Sequence, residues 1–234
     1  MHTLGPTNSA PAVRRSSRLG AWFLAFAPAF YLPAVALNAG VIAPLLAQQG
    51  VGQRAFVDLS RDLMDVIQTA WIPFHASLYV ATAIIPIAVV LGVRGMMLPA
   101  ARGWRLGALF SSGVAIPLVV VYSVLDVRAI SFTTPTLGED PFYAVANVLG
   151  YVVFGLTLVG LGCLAVILIT TRWRPVLGWI LAVGAALFLV VTVIAPLYTP
   201  PFVTALIACP LGVGLLRVPR RLREQSDTAV STAF

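Results

Sequence analysis

Six long apolar runs constrain this chain more than any other feature of its sequence. They cover residues 19–48, 72–93, 106–125, 142–171, 176–195 and 202–216, and none has Asp, Glu, Lys or Arg near its midpoint. A helix that crosses the hydrocarbon core of a bilayer needs about 20 mostly apolar residues. In lipid only helices and closed barrels satisfy their backbone polar groups, and these runs lack the alternation of barrel strands. The sequence therefore predicts an all-α integral membrane protein, a bundle of six transmembrane helices.

The composition agrees with this interpretation and removes several classes of chemistry. Only 10% of the residues are charged, against about 25% in soluble domains. Every basic residue is Arg, which suggests a GC-rich bacterial genome and excludes lysine Schiff-base chemistry. Cys163 and Cys209 lie far apart in apolar runs, so no redox pair or thiolate metal site is indicated. No phosphate-binding, dinucleotide-binding, metalloprotease or serine-hydrolase motif occurs. No cofactor is expected.

The arginines orient the predicted spans. Twelve of the fifteen lie before the first span, in alternate connections and after the last span, whereas six of the eight acidic residues lie in the other connections. The positive-inside rule places both termini in the cytoplasm, in a bacterial inner membrane. Residues 1–17 and 224–234 are polar and are predicted to be disordered tails around a membrane domain, 18–223. Their basic borders should contact anionic lipid headgroups, so the net charge of +7 does not indicate nucleic acid.

The segment RAFVDLSRDLMDVIQTAW, residues 54–71, is the most charged stretch between the first two spans. On a helix, Asp58, Asp62 and Asp65 fall on one face and apolar residues on the other. Arg54–Asp58 and Arg61–Asp65 pairs follow from the i, i+4 spacing. The prediction is an amphipathic helix on the outer surface before span 2 that runs into this span and bends at Pro73. Its charges form an ordinary solvated face, or a carboxylate stripe suited to acid–base work or cation capture.

The connection between spans three and four carries the remaining outer acidic residues. Glu139 and Asp140 before Pro141 indicate a helix start, since acidic residues are favoured there and Pro is tolerated in the first turn. Asp126 ends the third span soon after Tyr122, and Arg128 is expected to neutralise it. An acidic residue at this depth is a candidate for function.

Neutral polar residues are sparse within the spans, and several lie in the outer halves: Asn38, His75, Thr82, Asn147, Thr192 and Thr204. Such residues line a cavity open to the outside or join helices by hydrogen bonds. The candidate ligand-binding residues are Asp58, His75, Asn38, Asn147 and Tyr122. A single His in the membrane domain provides neither a metal site nor bis-His haem ligation.

Three functional hypotheses remain. The first is a non-catalytic membrane component, permease-like or ligand-binding, that works with a partner subunit such as an ATPase or with copies of itself. The alternative is a membrane-embedded enzyme, similar in design to the membrane-bound terpene cyclases, with Asp62, Asp65 and Asp126 as acid–base carboxylates on a lipid or prenyl substrate. The third is a self-protection or assembly protein. The expected partners are membrane lipids and a hydrophobic small molecule, with no nucleic acid.

Overall fold

The computed structural model describes residues 15–50, 59–94, 101–171, 174–194 and 202–216. All regular elements within these ranges are helical, and one isolated bridge joins Ser60 to Thr136. The helices are α1 (Arg15–Leu37), a π-helical segment (Asn38–Ile42), α2 (Ala43–Gln48), α3 (Arg61–Arg94), α4 (Arg102–Ala129), a 3₁₀ turn (Leu137–Glu139), α5 (Pro141–Thr170), α6 (Pro175–Ile194) and α7 (Phe202–Leu216). The all-helical fold class is confirmed.

Four helical segments are long and apolar enough to cross a membrane: Arg18–Gln48, Arg61–Arg94, Arg102–Ala129 and Pro141–Thr170. The parts of α6 and α7 that meet the same apolar criterion are shorter, Pro175–Phe188 and Thr204–Leu216. Large apolar side chains cover the outside of the described helices; Phe110 of α4 and Val176 of α6 are more than 70% exposed. Soluble monomeric proteins rarely expose this much contiguous apolar surface. The helices therefore fit a membrane bundle whose outside faces lipid.

The described helices form a closed ring in the order α1, α3, α4, α5, α6, α7, with α7 packed against α1. Neighbours run antiparallel, as two glycine contacts demonstrate. A Cβ atom on Gly20, early in α1, would lie 2.6 Å from the carbonyl oxygen of Ala88, late in α3. A Cβ atom on Gly212, late in α7, would lie 2.6 Å from the carbonyl oxygen of Ala21. Glycine thus allows the backbones of α3 and α7 to contact α1.

This alternation gives the ring two chemically different ends. One end, here called the arginine end, carries Arg18, Arg94, Arg102, Arg105 and Arg174. The opposite end, here called the acidic end, carries Asp62, Asp65, Asp126, Glu139 and Asp140, together with Arg61 and Arg128. The described acidic residues therefore lie at one end of the ring and most of the described arginines at the other, as the charge pattern of the sequence suggested.

The amphipathic stretch runs into span 2 from Arg61 onward, as predicted. It forms the first turns of α3, which continues through Pro73 and Pro86 to Arg94. Leu59 and Ser60, expected on the helix, precede it, because the Leu59 carbonyl accepts a hydrogen bond from the Leu137 amide at 2.9 Å. Residues 51–58, with Arg54 and Asp58, lie outside the described residues.

The boundaries of the other elements agree with the sequence to within a few residues. α5 begins as predicted: the Asp140 Oδ1 atom accepts hydrogen bonds from the amides of Phe142 and Tyr143 at 2.8 and 3.0 Å. α1 begins at Arg15, so residues 15–17 of the predicted N-terminal tail are helical. Residues 1–14 and 217–234 lie outside the described ranges.

Candidate functional site

A buried polar cluster joins α3 to α4 near the acidic end of the ring. On α3, Trp71, His75 and Tyr79 follow one another at i, i+4 and i+8, so they share one face of the helix. The His75 ring lies 4.2 Å from the Trp71 ring and 5.9 Å from the Tyr79 ring, measured between centroids. This column of rings places the His75 imidazole and the Tyr79 hydroxyl against α4.

Asp126, three residues before the end of α4, faces this column. Its carboxylate accepts a hydrogen bond from the Tyr79 hydroxyl, and its Oδ2 atom lies 3.4 Å from the Nε2 atom of His75. Asp126 is 4% exposed and His75 6% exposed, so both are withdrawn from solvent. Lone buried charges are very costly, and partners of this kind are what make a buried carboxylate tolerable.

The hydrogen bonds of His75 restrict where protons reside. Its Nδ1 atom lies 3.1 Å from the Trp71 carbonyl oxygen, which only accepts, so Nδ1 carries a hydrogen. In the neutral imidazole the Nε2 atom then presents a lone pair to Asp126. The contact between Nε2 and Oδ2 is favourable only when a proton lies on one of the two.

Tyr122 extends the cluster toward α5. Its ring meets the Tyr79 ring edge to face, with centroids 5.1 Å apart, and lies beside Gly150 of α5. Tyr143 of α5 is within electrostatic range of Asp126. The name Asp126 cluster is used below for His75, Tyr79, Tyr122 and Asp126.

A buried apolar layer separates the Asp126 cluster from the aqueous phase at the acidic end. It contains Leu59, Met64, Ile67, Phe132 and Leu137, each at most 3% exposed. Arg61 fastens this layer: its Nη1 atom donates hydrogen bonds to the carbonyl oxygens of Ile130 and Phe132 at 3.2 and 3.1 Å. Residues 59–61 and 130–137, which pair across the bridge, are called the acidic-end cap below.

The structure brings together three of the residues singled out in the sequence, His75, Tyr122 and Asp126. Asp62 and Asp65 are exposed on α3 and lie about 15–20 Å along the helix from His75, at 1.5 Å per residue. The predicted Arg61–Asp65 pair is present at 3.6 Å, with both side chains about half exposed. Asp62 and Asp65 therefore do not contact Asp126.

Asn38 and Asn147 also lie apart from the Asp126 cluster. Asn38 is exposed in the π-helical segment, where its carbonyl accepts a hydrogen bond from the Ala43 amide. Asn147 is exposed on α5. Single-turn π-helical segments are frequent at functional sites, but the polar side chain here faces the outside of the ring.

The expectation that Arg128 neutralises Asp126 is wrong. The Arg128 guanidinium lies over the Phe142 ring, 4.8 Å from its centroid. Residues two apart on a helix point to different sides, so Asp126 faces α3 while Arg128 faces α5. The partner that sequence reasoning missed is Tyr79, although its spacing of four residues from His75 places it on the same face.

A second polar contact joins three helices deeper in the ring. The Tyr31 hydroxyl of α1 lies beside the side chains of Thr82 on α3 and Thr204 on α7. Thr82 also donates a hydrogen bond to the Leu78 carbonyl at 2.8 Å. Hydroxyl contacts of this type hold membrane helices together, as the sequence suggested for Thr82 and Thr204.

No protein-family model, curated protein or solved structure matches the chain. Within the described ranges, no three His, Cys, Asp or Glu side chains lie close enough together to hold a metal ion.

Proposed function

We propose that this chain is a multi-pass protein of a bacterial cytoplasmic membrane, with six spans and both termini in the cytoplasm. The separation of the arginine end from the acidic end supports this orientation, because arginine accumulates on the cytoplasmic side. α6 and α7 also run antiparallel, since Leu177 early in α6 lies beside Gly214 late in α7 and Gly184 midway along α6 lies beside Ile207 nearer the start of α7. The arginine-only composition supports the bacterial assignment.

The orientation has a direct test. A reporter enzyme active only outside the cytoplasm should be active when inserted at Pro135, an exposed residue of the α4–α5 connection. The same reporter fused after Phe234 should be inactive. An inactive reporter at Pro135 in a correctly inserted protein overturns the proposed threading.

Within that membrane, the proposed role is that of a non-catalytic, permease-like component that binds a hydrophobic small molecule at the Asp126 cluster. One observation carries this role: a carboxylate, an imidazole and a phenol are buried together between two membrane helices. Ionisable groups in a membrane domain are expensive and commonly mark ligand or ion pathways. Trp71, Tyr79 and Tyr122 supply aromatic walls of the kind that line small-molecule sites.

The cluster also suggests how such a ligand is recognised. A ligand with one positive charge or hydrogen-bond donor replaces the Tyr79 hydroxyl or the His75 ring as the partner of Asp126. The acidic-end cap then opens to admit it from that end of the ring. Because the carboxylate already has internal partners, it serves recognition better than proton transfer to a substrate.

The role is tested by purifying the full chain from its native membrane in a mild detergent and identifying bound molecules by mass spectrometry. The wild type and Asp62→Asn should carry the same small molecule, and Asp126→Asn should lose it while remaining monodisperse. Asp62 is the matched control because it is an exposed aspartate on α3. Absence of a defined molecule from the wild type, or its retention by Asp126→Asn, refutes the role. A co-purifying ATPase identifies the partner subunit.

A second candidate function is a membrane-embedded enzyme acting on a lipid or prenyl substrate. The observation that favours it is the buried contact between the His75 Nε2 atom and the Asp126 Oδ2 atom at 3.4 Å, since an imidazole and a carboxylate can act as general acid or base. In this candidate Asp126 is the reacting carboxylate, and the exposed Asp62 and Asp65 are not needed. Lipid extracts from cells expressing the wild type and Asp126→Asn should then differ by one product. Identical extracts end this candidate.

A further inference from the structure

A groove lies between the beginning of α6 and the end of α7, at the arginine end of the ring. Its volume is about 350 Å³, and it is lined by Arg174, Pro175, Val176, Leu177, Ile180 and Gly214. Val176 and Ile180 are 72% and 55% exposed, so the groove opens to the outside of the bundle, where lipid lies. The Asp126 cluster is at the opposite end and shares no residue with it.

The lining combines one cation with an otherwise apolar wall. Arg174 directly precedes α6 and lines the groove at the N-terminal end of that helix. A guanidinium presents five N–H donors in a planar fork that matches the oxygens of a phosphate. The positive end of the α6 dipole lies at the same place and favours an anion. Below Arg174, the side chains of Val176, Leu177 and Ile180 offer only apolar surface.

Gly214 provides the space in the wall of α7. A Cβ atom at this position would lie 3.4 Å from the Leu177 Cδ1 atom and closer still to its second methyl group. Any larger residue would push Leu177 outward and fill part of the groove. The absence of a side chain therefore lets Leu177 pack against the backbone of α7 and form part of the groove wall.

We infer that this groove is a binding site for one phospholipid with an anionic headgroup. The phosphate contacts Arg174, and an acyl chain lies along Val176, Leu177 and Ile180. Basic pockets between membrane helices commonly bind acidic phospholipids. Ordinary lipid contact involves convex apolar surface such as Trp179, which is 59% exposed; here concavity and charge coincide. The inference requires the arginine end to lie at the level of lipid headgroups, and it does not depend on the role proposed for the Asp126 cluster.

The experiment titrates the purified, delipidated full chain with phosphatidylglycerol or phosphatidylcholine of identical acyl chains and measures bound lipid by native mass spectrometry. The wild type should bind phosphatidylglycerol about fivefold more tightly, the preference expected from one arginine at a lipid surface. Arg174→Gln should abolish this preference. Arg102→Gln is the matched control, since Arg102 is an exposed arginine at the same end but outside the groove, and it should retain the preference.

A second pair of variants tests the apolar wall. Ile180→Trp should fill the groove and weaken the binding of both lipids, whereas Val183→Trp, an exposed position outside the groove, should not. Both substitutions add an indole to the outside of α6, so the pair remains informative if Arg174→Gln does not fold. The inference is overturned if the wild type shows no preference, if Arg102→Gln abolishes it equally, or if Ile180→Trp binds lipid as the wild type does.

Discussion

The Tyr79 hydroxyl of α3 donates a hydrogen bond to the Asp126 carboxylate of α4, although 47 residues of sequence separate the two. This bond and the nearby His75 ring join the middle of α3 to the last turn of α4. In a membrane domain a buried carboxylate deprived of a donor has no water to replace it. The stability of the α3–α4 contact should therefore depend on Tyr79 more than its size alone suggests.

Tyr79→Phe should lower the free energy of unfolding by about 1–2 kcal/mol, because Asp126 loses a donor while the aromatic packing is kept. The measurement is the thermal midpoint of the purified protein in detergent. Ser123→Ala is the control, since Ser123 lies one turn before Asp126 and donates only to the Val120 carbonyl of its own helix. Equal midpoints for Tyr79→Phe and Ser123→Ala would contradict the structural role of the bond.

Arg61→Lys should loosen the acidic-end cap. An ammonium group cannot reproduce the forked geometry by which Arg61 reaches the Ile130 and Phe132 carbonyls. Hydrogen exchange at the Leu137 amide, which bonds to Leu59 across the cap, should accelerate about tenfold. Asp65→Asn should leave this exchange unchanged because the Arg61–Asp65 pair is half exposed and exposed pairs contribute little. The reverse order of effects would show that the ion pair, and not the carbonyl contacts, holds the cap.

Asp140→Ala should destabilise the start of α5 by about 0.5–2 kcal/mol, as expected for loss of an N-cap that accepts from two amides. Asp140→Asn should retain most of the stability, since an amide oxygen also caps. The free energy of unfolding from chemical denaturation in mixed micelles provides the measurement. Glu139→Ala removes the neighbouring, exposed acidic residue and should have little effect. A comparable loss for Glu139→Ala would indicate general electrostatics in place of capping.

Gly20→Ala should destabilise the contact between α1 and α3 by about 1–3 kcal/mol, because the added methyl group would overlap the Ala88 carbonyl. Thermal unfolding in detergent again measures the change. The control is Gly113→Ala in α4, where a methyl group meets open space; there the higher helix propensity of alanine should stabilise slightly. Stabilisation by both substitutions would show that α1 and α3 are farther apart than described.

Apolar run length was enough to predict the all-helical fold, and arginine placement was enough to predict the chemical difference between the two ends of the described ring. These sequence signals are local: each apolar run identifies one helix, and Asp140 before Pro141 identifies the start of α5. The Asp126 cluster is different, because which residue faces Asp126 depends on the rotation of α3 against α4. Spacing along α3 shows that His75 and Tyr79 share a face, but it does not show which neighbour that face meets. Arg128, close to Asp126 in sequence, was therefore the wrong partner.

The contact between α1 and α7 at Gly212 has a consequence for the order in which the protein is made. The first helix enters the membrane while the last is not yet synthesised, and 5–20 residues per second is a typical rate of elongation. The surface of α1 around Ala21 therefore lacks its α7 neighbour for roughly 10–40 s, the time needed to synthesise the chain as far as Gly212 at that rate. Until then that surface is open to lipid or to an insertion factor. If synthesis stops before Phe202, the chain lacks α7 and the surface of α1 around Ala21 stays uncovered. Membrane quality control can recognise such an exposed surface.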